Sequence, residues 1–209
     1  MIKKFTNKSI AELDRIYRLN LINSLSGYKA ANLIGTKGSI GENLAIISSV
    51  VHLGADPPLL GFVMRPARVE RHTLSNLLET KKYTINHVSK DLVERAHYTS
   101  AHFPAGTSEF EKCKIEAEYI SEFDAPFVKE SSVKMGMRLV ETLPIKANDT
   151  LFIVGEIEYL LIEDSSITEN GQVDLNQLQT VCVSGLNRYH EANEFANHPY
   201  ARVNDLPEF

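Results

Sequence analysis

Apolar residues near the start of the chain recur at helical spacing. Ile10, Leu13, Ile16 and Tyr17 share one face, and Ser9 followed by Glu12 has the pattern of a capping box. The period then shortens. "YKAANLIGTK" and "NLAIISSVVHL" read as strands joined by the glycine-bearing connection "GTKGSIG", and "PLLGFVM" is a third apolar strand. "HTLSNLLET" has the pattern of a short amphipathic helix, "KYTINHV" of a strand, and "KDLVERAHYTSAH" of a helix. Strands dominate the second half: "CKIEAEYIS", "SSVKMGMRLVETL" and "TLFIVGEIEYLLIED". Between 130 and 141 the alternation puts Val133, Met135, Met137 and Leu139 on one side, as in a half-buried antiparallel strand. "SITENGQVDLNQL" predicts an irregular insertion with a turn at Asn170-Gly171 and a small helix. "TVCVSGL" is expected to close the sheet.

Many strands with few helices predict a mainly β fold: an antiparallel barrel, closed or nearly so, with peripheral helices packed outside. The 209 residues fit one domain, with a helical segment over about 1–25 and a polar tail over about 188–209. The net charge of −5 and the lack of a Lys/Arg-rich run exclude a nucleic-acid footprint. No stretch approaches membrane-spanning length and no signal-peptide core is present, so a cytoplasmic protein is expected. Cys113 and Cys182 lie far apart and form no C-x-x-C pair, which fits free thiols in a reducing compartment.

Three kinds of chemistry find no support in the spacing of residues. Gly35, Gly38 and Gly41 run G-x-x-G-x-x-G between two strands, whereas a dinucleotide loop opens a helix; a hairpin is expected. His87, His97 and His102, with Asp91 and Glu94 between them, do not have the spacing of a helical zinc motif. Ser48-Ser49 is not in a G-x-S-x-G setting. Those two serines nevertheless sit in an apolar run. Strict alternation would put Leu44, Ile46, Ser48 and Val50 on one face and Asn43, Ala45, Ile47 and Ser49 on the other. Two readings stay open: both hydroxyls bond neighbouring backbone, or they face a ligand. Downstream, Asp56-Pro57-Pro58 ends the run, and Arg65, Arg68, Arg71, Thr73, Ser75 and Asn76 surround a helix start. There the free N–H groups, the dipole and the cations all favour a phosphate.

An ordered set of motifs resembles the flavin reductases and flavoredoxins with an FMN-binding split barrel, in particular the flavin reductase components of two-component monooxygenases. It consists of Asn43-Leu44-Ala45-Ile46-Ile47-Ser48, then Asp56-Pro57-Pro58, then Arg71-His72-Thr73-Leu74-Ser75-Asn76, then Tyr83-Thr84-Ile85-Asn86, then "TSAHFPAGTSEF" from Thr99 to Phe110. The match covers about the first 120 residues; beyond it only the strand character agrees. "GYKAANL" stands where the family often has P-R-P, and His72 where an acidic residue is common.

The resemblance implies FMN as cofactor, NAD(P)H as hydride donor, a homodimer, and a monooxygenase component as a further partner. It also implies site residues. Asn43, Leu44, Ala45 and Ile46 would meet the ring edge. Ser48, Ser49, Arg65, Thr73 and Asn76 would meet the ribityl chain and phosphate. Tyr98, Ser100, His102 and Phe103 would border the ring or phosphate from their loop. Electron carriage by bound FMN, without nicotinamide-dependent turnover, is the alternative. A split barrel holding another ligand, such as pyridoxal phosphate or haem, is a third reading.

Overall fold

The computed structural model describes residues 1–66 and 71–208. Two short helices come first, α1 (Asn7–Ala11) and α2 (Arg15–Ser24), and neither buries a residue. The capping box at α1 is formed by Thr6 and Ser9 rather than by Ser9 and Glu12. Asp14 caps α2 by accepting from Ile16 N and Tyr17 N, so the expected single helix is broken at Glu12–Asp14. The chain then forms β1 (Lys29–Ala30), β2 (Asn32–Gly38), β3 (Gly41–Ile47), β4 (Val51–Ala55), β5 (Pro58–Met64), α3 (His72–Thr80) and β6 (Lys82–His87). A 3-10 turn at Lys90–Leu92 leads into α4 (Val93–Tyr98), followed by α5 (Glu109–Lys112), β7 (Ala117–Ile120) and β8 (Phe123–Val128). Two long strands, β9 (Val133–Ile145) and β10 (Thr150–Ile162), precede β11 (Val181–Ser184) and β12 (Arg188–Glu191).

Seven strands form one antiparallel sheet in the order β3-β2-β6-β9-β10-β5-β4. Its two edges are consecutive in the chain, with only residues 48–50 between β3 and β4. So short a link forces the sheet to curl until its edges nearly meet. The result is the split antiparallel barrel expected from the sequence.

The residues at the seam account for one of the two serines, Ser49. Ser49 Oγ accepts from Val63 N (3.0 Å) and donates to Val63 O (3.2 Å), so a side chain replaces the ladder pair that β4 would make with β5 at that position. Alternation resets here as well: Ile46 packs on the outer cluster, while Ile47 and Val50 both pack on the inner one.

The inner cluster fills the barrel. It contains Ile34, Phe62, Tyr83, Ile85, Met135, Met137 and Ile153, with Leu77 of α3 against it. Gly155 lets Tyr83 occupy that interior, because a Cβ at 155 would overlap the Tyr83 hydroxyl. The outer cluster packs Leu33 and Leu44 against Leu92, Ala96, Phe110 and Ile115, which covers the barrel wall with the α4–α5 segment. The expected alternation of Val133, Met135, Met137 and Leu139 is present. The "GTKGSIG" hairpin is present too, with Gly38 paired to Gly41, whose φ of +100° suits glycine.

Other expectations are corrected. "NLAIISSVVHL" is two strands on opposite edges. β8 carries Pro126 and pairs only with β7, outside the main sheet, so its period was masked. β11 does not close the barrel but joins β1 and β12 in a three-stranded sheet, and Arg188–Glu191 is strand rather than tail. After Ser166, residues 175–179 form turns rather than a helix.

Two measurements follow from this architecture. Ser49→Ala removes both bonds to Val63 and is expected to cost about 1–3 kcal/mol, with faster hydrogen exchange at the Val63 amide; thermal unfolding and exchange mass spectrometry read both. Burial pushes the His87 imidazole from 6.5 down to about 4. Between those values the unfolded chain binds a proton that the folded one refuses. His87's contribution is therefore complete above about pH 6.5 and falls, by up to about 3 kcal/mol, as pH drops toward 4. Denaturation curves across that range should be flatter for His87→Gln.

Candidate functional site

The edge strand β3 and the segment 99–110 that covers it form the centre of the site. Outward-facing N–H groups on an edge strand need partners, and no strand supplies them here. Thr99 Oγ1 accepts from Ile46 N (3.0 Å), and Glu109 Oε2 accepts from Leu44 N (2.9 Å). The same Glu109 oxygen accepts from Asn43 Nδ2 (2.7 Å), while Asn43 Oδ1 accepts from the Thr73 hydroxyl. Glu109 (5% exposed), Asn43 and Thr73 are all buried. This chain of bonds brings the starts of α3 and α5 together on β3. Burial raises the Glu109 carboxyl above the usual carboxylate range, against the opposing pull of the Leu44 N–H, its own N–H, Asn43 and the nearby His72.

Asn76 is fully buried. Its Nδ2 donates to Gly41 O (2.9 Å) and Thr36 Oγ1 (3.3 Å), clamping α3 to the β2–β3 hairpin. Asn43, Leu44, Thr73 and Asn76 thus form a protein-to-protein network. Ala45, Ile46 and Ser48 are half-buried along the strand and seam, with Ser49 bonded to β5. Across from them, Tyr98, Ser100 and His102 are exposed, and Phe103 is partly buried against the Leu44 cluster. Arg65 is exposed at the end of β5, and Arg68 lies outside the described residues. Sequence reasoning missed Thr99 and Glu109 as site-forming side chains. The signal was their position at either end of the "TSAHFPAGTSEF" stretch, opposite an edge strand whose edge status only the topology reveals.

Among the described residues, the entrance to α3 has donors without protein acceptors. Arg71 occupies the N-cap position without a side-chain cap bond, so the first-turn N–H groups of this nine-residue helix lack a capping oxygen. Arg71 Nε is buried without a partner, as is Ser108 Oγ at the start of α5. Unanswered buried donors beside a helix N-terminus suit an anion such as a phosphate. A flavin mononucleotide fits this donor set at its phosphate end.

Of the other histidines, His97 Nδ1 lies 3.0 Å from Tyr189 OH. Among the described residues no group of three or more His, Cys, Asp or Glu could hold a metal ion. Cys113 and Cys182 are free thiols. No helix among the described residues is long and apolar enough to cross a membrane.

The family described as "Flavin reductase like domain" matches residues 29–175. The chain belongs to that family. A crystal structure from Shewanella frigidimarina NCIMB 400, of a split-barrel protein assigned as a flavin reductase, is 45% identical. It covers 95% of this chain and 100% of its own, with a TM-score of 0.91. Nitrilotriacetate monooxygenase component B from Bacillus cereus has a TM-score of 0.82 at 17% identity, with 95% and 99% covered. Flavoredoxin of Desulfovibrio vulgaris has a TM-score of 0.72 at 19% identity, with 84% and 92% covered. The last two establish a shared fold. The β3 edge, the α3 entrance and the 99–110 segment all lie inside the matched region, so the site described above is part of the family's domain.

Proposed function

We propose that this protein is a flavin reductase that binds FMN and passes hydride to it from NAD(P)H. The observation that carries the reading is the α3 entrance, where Arg71 Nε and the uncapped first turn are left without acceptors beside the half-buried β3 edge. In this reading Arg71, the α3 N–H groups, Ser108 and Arg65 hold the phosphate. Ala45, Ile46, Ser48 and Ser49 lie along the ribityl chain and ring, and Tyr98, Ser100, His102 and Phe103 form the opposite wall. Asn43, Leu44, Thr73 and Asn76 act one step back, by fixing the strand and helix that carry these contacts. FMN, when bound, supplies the redox chemistry, taking up hydride from the nicotinamide; the chain binds, orients and shields. Delivery of reduced flavin to a separate monooxygenase completes the proposal, in keeping with the relative named as a monooxygenase component.

Many large apolar side chains are exposed on the chain. Ile16, Leu19 and Ile22 of α2 and Leu25 just after it are exposed, as are Val51, Leu53, Val140, Leu143 and Ile145 on strands. Patches of that extent fit burial against a second copy, and a homodimer is part of the proposal. Light scattering on the purified chain should give twice the mass of 23.4 kDa.

Anaerobic spectrophotometry tests the activity. Added FMN should bind, and NADH or NADPH should bleach its absorption within seconds. Arg71→Gln should weaken FMN binding about tenfold, the loss of one charge-assisted bond, while leaving riboflavin binding unchanged. Flavin that binds but stays oxidised would replace the reductase with an electron carrier. Failure to bind FMN in excess would overturn both.

A further inference from the structure

The segment 99–110 is tied to one strand at both ends. At one end the Thr99 hydroxyl donates to Ala96 O (2.7 Å) and accepts from Ile46 N, linking the end of α4 to β3. At the other, Glu109 Oε2 takes Leu44 N and Asn43 Nδ2 together. The intervening residues, 100–108, carry Ser100, His102 and Phe103, and their backbone bonds include the local turns Ser100 N to His97 O, Ala101 N to Tyr98 O and Thr107 N to Pro104 O. The loop is therefore strung between two anchors two residues apart on β3.

The anchors differ in character. Thr99 is a neutral hydroxyl, whereas Glu109 is a buried carboxyl group with His72 nearby. A buried carboxylate opposes folding unless it is well compensated. Its charge also shortens and strengthens the hydrogen bonds it accepts, to roughly twice those of a neutral oxygen. Glutamine at this position would keep one acceptor oxygen in the same place without the charge. The fold and the tightness of the anchor should therefore respond to that substitution in opposite directions.

We propose that Glu109, together with Thr99, is a positioning residue that holds loop 100–108 at a fixed separation from β3 and so sets the width of the slot the flavin occupies. The slot's occupant rests on the functional reading above; the anchoring of the loop does not.

The test compares the full-length protein with Glu109→Gln, Thr99→Val and, as a conservative control, Thr99→Ser. Three quantities are read: hydrogen exchange of residues 100–108 without flavin, thermal midpoint, and FMN dissociation constant from fluorescence quenching. Glu109→Gln should leave the midpoint unchanged or higher, speed exchange in the loop, and weaken FMN binding about tenfold. Thr99→Val should also speed loop exchange, and Thr99→Ser should restore it. Unchanged loop exchange in both Glu109→Gln and Thr99→Val would overturn the proposal. So would a parallel fall of midpoint and FMN affinity with no local change in exchange, which is what a merely structural role gives. Faster loop exchange with unaltered FMN affinity would overturn the link to the slot. A wild-type chain that binds no FMN would sink the functional reading alone, since the exchange arm still decides whether the two side chains hold the loop.

Discussion

Two backbone N–H groups, of Leu44 and Ile46, govern this structure, because they belong to an edge strand that must end somewhere. A barrel normally removes its edges by closing. Here β3 and β4 are only three residues apart in the chain yet are not paired to each other, so each keeps an open side. On the β5 side the chain answers with the Ser49 hydroxyl, which both donates to and accepts from Val63. On the β3 side it answers with Thr99 and Glu109. Two side chains thus stand in for a missing strand beside β3, and a third continues the β4–β5 ladder.

That solution explains why polar residues crowd an apolar stretch. Asn43 sits inward because Glu109 and Thr73 satisfy both ends of its amide, and Asn76 because Gly41 and Thr36 take its donors. With those donors engaged within the protein, the buried side-chain atoms still without a partner among the described residues include Asn76 Oδ1, Arg71 Nε and the Ser108 hydroxyl, and α3 starts without a side-chain cap. In the proposed function the network and these unanswered donors do separate work. One fixes the geometry, and the other presents unanswered donors to whatever binds.

The sequence made the barrel legible where a periodicity was clean. Val133 to Leu139 alternates because one face of β9 lines the interior, and Gly38 and Gly41 mark a hairpin because only glycine accepts the turn at 41 easily. It misled where a single run served two strands. "NLAIISSVV" is continuous in hydrophobicity but crosses from one edge of the sheet to the other, and local patterning carries no record of which edge a strand occupies. Pro126 hid β8 for a related reason: it is tolerated because β8 pairs on one side only, a fact about topology. The candidate site was read from the sequence as a neighbourhood, through the order of motifs. The division of labour within it was not, because Glu109 becomes meaningful only once Leu44 is known to face outward.

The same constraint bears on why redox chemistry suits such a scaffold. A reaction whose bond-making belongs to a cofactor asks the protein for a fixed slot, an anchored anion and an open face, rather than for a nucleophile or a metal. A split barrel supplies the slot from its incomplete closure, and a helix start beside the seam supplies the anchor. β3 is bonded to β2 along its full length, and the loop 100–108 is suspended from it at Thr99 and Glu109. A planar ligand resting on a strand while a tethered loop closes the other side needs no rearrangement of the core to enter or leave. In the proposed function the seat of such a ligand would depend on the two tethers, Thr99 and Glu109, as well as on the barrel.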